Sequence, residues 1–72
     1  MNFNKRIRDI REDRDYLQKD IAKALNITTQ QYQLYESGNR DMKYYHIIQL
    51  SNFYKLSADY ILGLTDEQRP LK

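Results

Sequence analysis

An all-α fold, a compact bundle of five short helices, is what these 72 residues predict. Three observations carry the prediction. Apolar residues recur at three- and four-residue steps along most of the chain, and no stretch alternates with the period of two that a strand requires. Residues suited to helix ends (Asn26, Gly38, Ser57 and Gly63) divide those stretches into short pieces. The length suits a single domain, expected over residues 1–66, with a polar, Pro70-containing tail over 67–72 that is expected to fray.

The first helix is expected over 4–14. Phe3, Ile7, Ile10, Arg11 and Arg14 follow helical spacing, whereas Lys5, Arg6, Arg8, Asp9, Glu12 and Asp13 read as a solvated face laced with side-chain pairs. The second helix covers about 18–25, with Ile21, Ala22 and Leu25 inward, and Asn26 tolerates the left-handed turn that follows. Thr28 with Gln31 three residues on makes a capping box that opens the third helix, which Gly38 ends. The fourth helix covers about 44–54, with Tyr44, Ile47, Ile48, Leu50, Ser51 and Tyr54 on one broad face. Ser57 caps a short fifth helix over 58–63, whose apolar residues are Leu56, Ile61, Leu62 and Leu64.

Composition narrows the function. With no cysteine there is no disulfide and no thiolate metal site, and packing alone must hold the domain. The N-terminal stretch has no signal-peptide core and no segment is apolar enough to span a bilayer, so a cytoplasmic protein is expected. The net charge of +2 is too small for indiscriminate wrapping of nucleic acid, and the excess lies wholly in residues 1–43.

Within that part, residues 18–37 form two helices joined by a tight turn, the arrangement that offers its second helix to a DNA major groove. On a helical wheel Thr28, Tyr32, Tyr35 and Glu36 fall on one side, toward the core. Thr29, Gln30, Gln33 and Ser37 fall on the other, with Leu34 at its edge. The outer face carries no carboxylate to repel phosphate. Gln pairs with adenine N6 and N7, and Thr offers a hydroxyl to base edges and a methyl to thymine. Ordinary solvated faces are rich in Lys and Glu, as the first helix is here. Gln18, at the start of the second helix, is placed to meet a phosphate, as are Asn39, Arg40 and Lys43 beyond the third. Taken singly, Arg40 and Lys43 read as loop solvation, and their position beside the motif is what singles them out.

The run Gln18-x-x-Ile21-Ala22-x-x-Leu25-Asn26-Ile27-Thr28, followed by Tyr32-x-x-Tyr35-Glu36-x-Gly38, resembles the Cro and lambdoid-repressor helix-turn-helix family, also called the xenobiotic-response-element type. The segment from Leu56 to Asp66 resembles the fifth helix of such regulators from low-GC Gram-positive bacteria and their phages. The resemblance covers roughly 4–66 and implies a lambda-repressor-like DNA-binding domain that acts as a transcriptional regulator, expected to be a repressor. It implies base or adjacent backbone contacts at Thr28, Thr29, Gln30, Gln33 and Leu34, a phosphate contact and a buttressing role for Gln18, and backbone contacts at Asn39 and Arg40. It also implies a buried ion pair between Arg11 and Glu36. Departures from the family pattern are Leu17 for a capping Ser, Asn26 and Lys55 for Gly, Met42 for Pro and the apolar Leu34.

Double-stranded DNA, with a palindromic site, is therefore the expected partner, and a homodimer on DNA the expected assembly, since one small domain covers too little surface for strong specificity. Tyr60, Leu62 and Leu64 are the expected dimer contact, being more apolar than five-helix packing needs and lying where the resemblance puts it. The alternative is a protein-interaction or antitoxin-type module of the same fold. Its support is the seven tyrosines, of which Tyr32, Tyr35, Tyr44 and Tyr54 read as core and Tyr16, Tyr45 and Tyr60 as surface candidates. His46, the sole histidine, reads as a satisfied or exposed helical residue and not a metal ligand. No catalytic constellation is evident, so neither an enzyme nor a cofactor is expected.

Overall fold

A computed structural model describes residues 2–68 and Pro70. Five helices follow in order: α1 (Phe3–Asp13), α2 (Gln18–Leu25), α3 (Thr29–Ser37), α4 (Tyr44–Tyr54) and α5 (Ala58–Ile61). Each begins after a residue in the extended region, and for α1, α3 and α5 that residue's side chain meets an orphan N–H of the first turn. Asn2 Oδ1 accepts from the Lys5 amide at 2.8 Å and opens α1. Thr28 does the same for α3 and Ser57 for α5. The helices end through left-handed residues: Asn26 after α2, Gly38 after α3 and Lys55 after α4. Asp15, also left-handed, reverses the chain between α1 and α2. Asn and Asp reach this conformation with local help from their side chains, whereas Lys55 has none and is held by what surrounds it. There Ser51 Oγ donates to the Leu56 carbonyl at 2.6 Å and Leu56 N–H returns a bond to the Ser51 carbonyl.

The α2–α3 pair packs on α1 through α3 and on α4 through α2, while α5 closes the bundle against α1 and α4. Ile7, Ile10, Ile21, Leu25, Tyr32, Tyr35, Leu50, Tyr54, Leu56 and Ile61 form one buried core. Burying such side chains is the main driving force available to a chain without disulfides.

Sequence expectations about helix five, Arg6 and the inward face of α4 are corrected here. Helix five is shorter than 58–63: it ends at Ile61, and Leu62 and Gly63 form a turn, with Gly63 left-handed. Arg6 does not belong to a solvated face: it is 2 % exposed, beneath the segment that follows α5. Tyr44, placed in the core by spacing, is 74 % exposed, and Ile48 is also exposed. Because α4 is apolar almost all round, periodicity admits more than one inward face, and the one that packs carries His46, Leu50, Ser51 and Tyr54. Of the tail 67–72, Arg69, Leu71 and Lys72 lie outside the described residues. Gln68 Nε2 donates to Tyr60 Oη at 3.2 Å, and Pro70 pairs with Leu56 in an antiparallel bridge.

Candidate nucleic-acid interface

Position of α3 is set first at the turn before it. The Asn26 and Ile27 amides bond back to the Lys23 and Ala22 carbonyls, which closes α2 and swings the chain into Thr28. Thr28 Oγ1 accepts from Gln31 N–H at 3.1 Å while Gln31 Oε1 accepts from Thr28 N–H at 3.0 Å. This reciprocal box fixes the direction of α3 and takes Gln31 out of the outward set. Tyr32, Tyr35 and Glu36 are buried, and Gln30, Gln33 and Ser37 are exposed, with Thr29 and Leu34 half-buried. Thr28 is exposed although the wheel put it on the core side. As the cap it precedes the helix, so the helical wheel does not apply to it.

At its far end α3 is tied to two other helices. Arg11 Nε donates to Glu36 Oε2 at 2.7 Å and Nη2 to Oε1 at 3.1 Å, a two-pronged pair, while Nη1 reaches the Tyr16 carbonyl at 3.0 Å. Gln18 Nε2 donates to Glu36 Oε1, and Gln33 Nε2 donates in turn to Gln18 Oε1, both at 3.2 Å. A continuous polar chain thus runs from α1 through the last turn of α3 to the start of α2 and back to the exposed face of α3. Burial alone would raise the Glu36 pKa, but the bonds from Arg11, then the nearby Tyr32 hydroxyl and the Gln18 amide, outweigh it and leave the carboxyl below its ordinary value. The buried Tyr32 hydroxyl is pushed upward, by desolvation first and then by Glu36.

Leu17 has no oxygen with which to cap α2. Its own N–H donates to Asp20 Oδ2 at 2.8 Å, so only the reverse half of a capping box forms. The first-turn amides of α2 beside Gln18 keep their capacity for water or an anion. After α3 the chain is pinned by one acceptor: the Leu34 carbonyl receives the Asn39 and Arg40 amides at 3.0 and 3.2 Å and the Ser37 hydroxyl at 3.2 Å. Asn39 Nδ2 donates to Ser37 Oγ. Glycine suits this place because its φ is +82°, a conformation L side chains rarely adopt, and a Cβ would also displace the Asn4 side-chain amide, 2.5 Å away.

The exposed face of α3 is therefore flanked by two shallow concavities. One, of about 420 Å³, is lined by Gln31, Arg40, Lys43, Tyr45, His46 and Gln49 among others. The other, of about 380 Å³, is lined by Arg8, Arg11, Gln18, Gln33, Glu36 and Ser37. His46 shares a 2.9 Å hydrogen bond with the Tyr35 hydroxyl, and burial, then Lys43, holds its pKa below the ordinary value, so it is neutral and structural.

Gln18, Thr28, Thr29, Gln30, Gln33, Leu34, Asn39, Arg40 and Lys43 are the residues singled out from sequence, and they lie on α3 or its immediate flanks. Arg8, Tyr45 and Gln49 border the same surface and were not singled out as contacts. A signal for Arg8 did exist: it stands three residues before Arg11, hence on the α1 face that turns toward Glu36. Tyr60, Leu62 and Leu64 lie elsewhere, after α4. The Arg6 guanidinium stacks 4.1 Å over the Tyr60 ring, whereas Leu62 and Leu64 are exposed. Among the described residues no helix is long and apolar enough to cross a membrane.

Comparison with known proteins adds independent observations. Residues 4–67 match the helix-turn-helix domain family. The HTH-type transcriptional regulator ImmR of Bacillus subtilis (strain 168) is 38% identical over 63 residues, covering 88% of this chain and 50% of its own length. An uncharacterized HTH-type transcriptional regulator of the same organism, YqaE, is 33% identical over 60 residues, covering 83% of this chain and 52% of its own length. The chain thus spans about half the length of these curated relatives. A solved transcriptional regulator from Listeria innocua superposes with a TM-score of 0.83 over 94% of this chain and 64% of that one, at 24% identity, a likeness of fold.

Proposed function

The chain belongs to the helix-turn-helix domain family, and from that membership we propose that it is a transcriptional regulator that reads one duplex DNA sequence with α3. The observation that carries this is the exposed face of α3. It offers amides and hydroxyls without a carboxylate or a lysine, on a helix locked at both ends by hydrogen bonds. Gln30, free of the bonds that engage Gln31 and Gln33, is the principal base reader, with Thr28, Thr29 and Leu34 beside it. Gln33, anchored to Gln18, spans the boundary between base edges and backbone. Gln18, Asn39, Arg40 and Lys43 hold phosphates on either side.

The finer assignment is a repressor working in the bacterial cytoplasm. Two chains bind a palindrome, with their recognition helices about 34 Å apart in successive major grooves. The exposed Leu62 and Leu64, with the half-buried Tyr60, support the two-fold contact, and the apolar side chains left outside the bundle are its natural seat. Exposed Tyr44, Tyr45 and Ile48 favour a second reading, in which the same fold binds a protein partner.

Titration of duplex DNA followed by sedimentation tests the first reading. Two chains should load per palindromic site, and Arg40→Ala should weaken specific and random duplexes by the same factor, because a phosphate contact carries no sequence information. Absence of any salt-dependent duplex binding would remove the DNA reading and leave the protein partner.

A further inference from the structure

Arg8 stands apart from the other cations of α1 and its cap. Lys5 is paired with Asp9 at 2.6 Å, Arg6 with Asp66, and Arg11 with Glu36, while Arg14 donates to the Tyr54 carbonyl. Among the described residues Arg8 has neither an ion-pair nor a hydrogen-bond partner, and it is exposed. It lines the concavity that also holds Gln18, Gln33 and Ser37. In that concavity Arg11 already neutralises the Glu36 carboxylate, so its net charge is that of the Arg8 guanidinium. An unpaired guanidinium, beside the uncapped first turn of α2 and the end of α3, is a forked donor facing an anion's place.

Resting on the DNA reading above, we propose that Arg8 is a backbone anchor: it grips a phosphate at the α2 flank of the groove, opposite the one held by Arg40 and Lys43. The two flanking concavities then receive the two strands, and α1 becomes part of the interface and not only a support for α3. Arg8 acts on affinity without choosing the sequence, since a phosphate looks the same beside every base pair.

The test measures affinity of the full chain for its selected duplex and for a random duplex across a salt series. Wild type, Arg8→Ala, Arg8→Lys and Arg40→Ala are compared. Each phosphate contact contributes a slope of about 0.9 in the logarithm of affinity against the logarithm of salt, close to tenfold at about 0.1 M. Arg8→Ala should lose about that slope per bound chain, equally on both duplexes, while the thermal midpoint is unchanged because Arg8 holds no internal partner. Arg8→Lys should keep the slope. If wild type and Arg40→Ala show the salt dependence of DNA binding but Arg8→Ala matches wild type, the anchor is wrong and the DNA reading stands. If wild type binds no duplex, the DNA reading itself has failed. A lowered midpoint for Arg8→Ala would contradict the assignment by giving the residue a structural role.

Discussion

Replacing Arg11 with alanine should destabilise the domain by about 3–5 kcal/mol. The Glu36 side chain is 5 % exposed and that of Arg11 12 %, so removing the cation leaves a carboxylate with little water and, among the described residues, the Gln18 amide as its donor at 3.2 Å. A chain of this length has a total stability of about 4–11 kcal/mol, so the loss is a large share and the urea midpoint should fall accordingly. The pH dependence identifies the stranded charge. In the intact protein the Glu36 pKa is lowered below its ordinary 4.5, so its stabilisation is complete above that value and is lost as pH falls through the lowered pKa. Without Arg11, burial pushes the carboxyl up instead. The folded variant then takes up the proton first, and its deficit relative to wild type should narrow as pH falls from about 7 toward 5. A deficit constant over that interval would mean that Arg11 acts through packing. The apolar pair Arg11→Met with Glu36→Leu should recover most of the loss, because no charge is left behind.

Arg6→Ala should cost about 3 kcal/mol by a different route. Its Nη1 donates to the Tyr60 and Thr65 carbonyls at 2.6 and 2.9 Å and its Nη2 to Asp66 Oδ1 at 2.7 Å, while the guanidinium covers the Tyr60 ring. Asp66 is 92 % exposed, so its charge is not stranded. The cost comes from the Thr65 carbonyl losing its donor, from the Tyr60 carbonyl keeping only the Gly63 amide, and from lost packing. Arg6→Lys should rescue little, because one ammonium does not reproduce a planar fork serving several acceptors. Hydrogen exchange should show the Gly63 and Leu64 amides, which bond to Tyr60 and Asp59 carbonyls, losing protection first. A change below about 0.5 kcal/mol, the ordinary surface value, would contradict the clamp.

Arg6 also shows where sequence reading ends. Its spacing, three residues after Phe3 and four before Ile10, put it on the apolar stripe of α1, but its charge argued for solvent. Its partners lie more than fifty residues away, and local pattern contains no trace of them. The helix-turn-helix was legible because its signals are local: a capping box at Thr28 and Gln31, a left-handed Asn26, and amides on one side of a wheel with tyrosines on the other. Helix four was legible as a helix but not in its orientation, since Tyr44 and Ile48 suit an inward face as well as His46 and Leu50 do. The Tyr35 hydroxyl is what makes His46 the buried one. The link of Gln33 to Gln18, fifteen residues apart, needed three dimensions, as did the concavity that Arg8 lines.

Selection of bound duplexes from a random pool, run in parallel with wild type, Gln30→Ala and Gln33→Ala, tests most directly the claim that α3 reads bases. Wild type should enrich a defined site. Gln30→Ala should lose preference at particular base pairs by about 1–3 kcal/mol, and Gln33→Ala at neighbouring ones, with the rest of the site retained. Enrichment of the same site, at the same affinity, by both variants would place the recognition surface elsewhere and contradict the account.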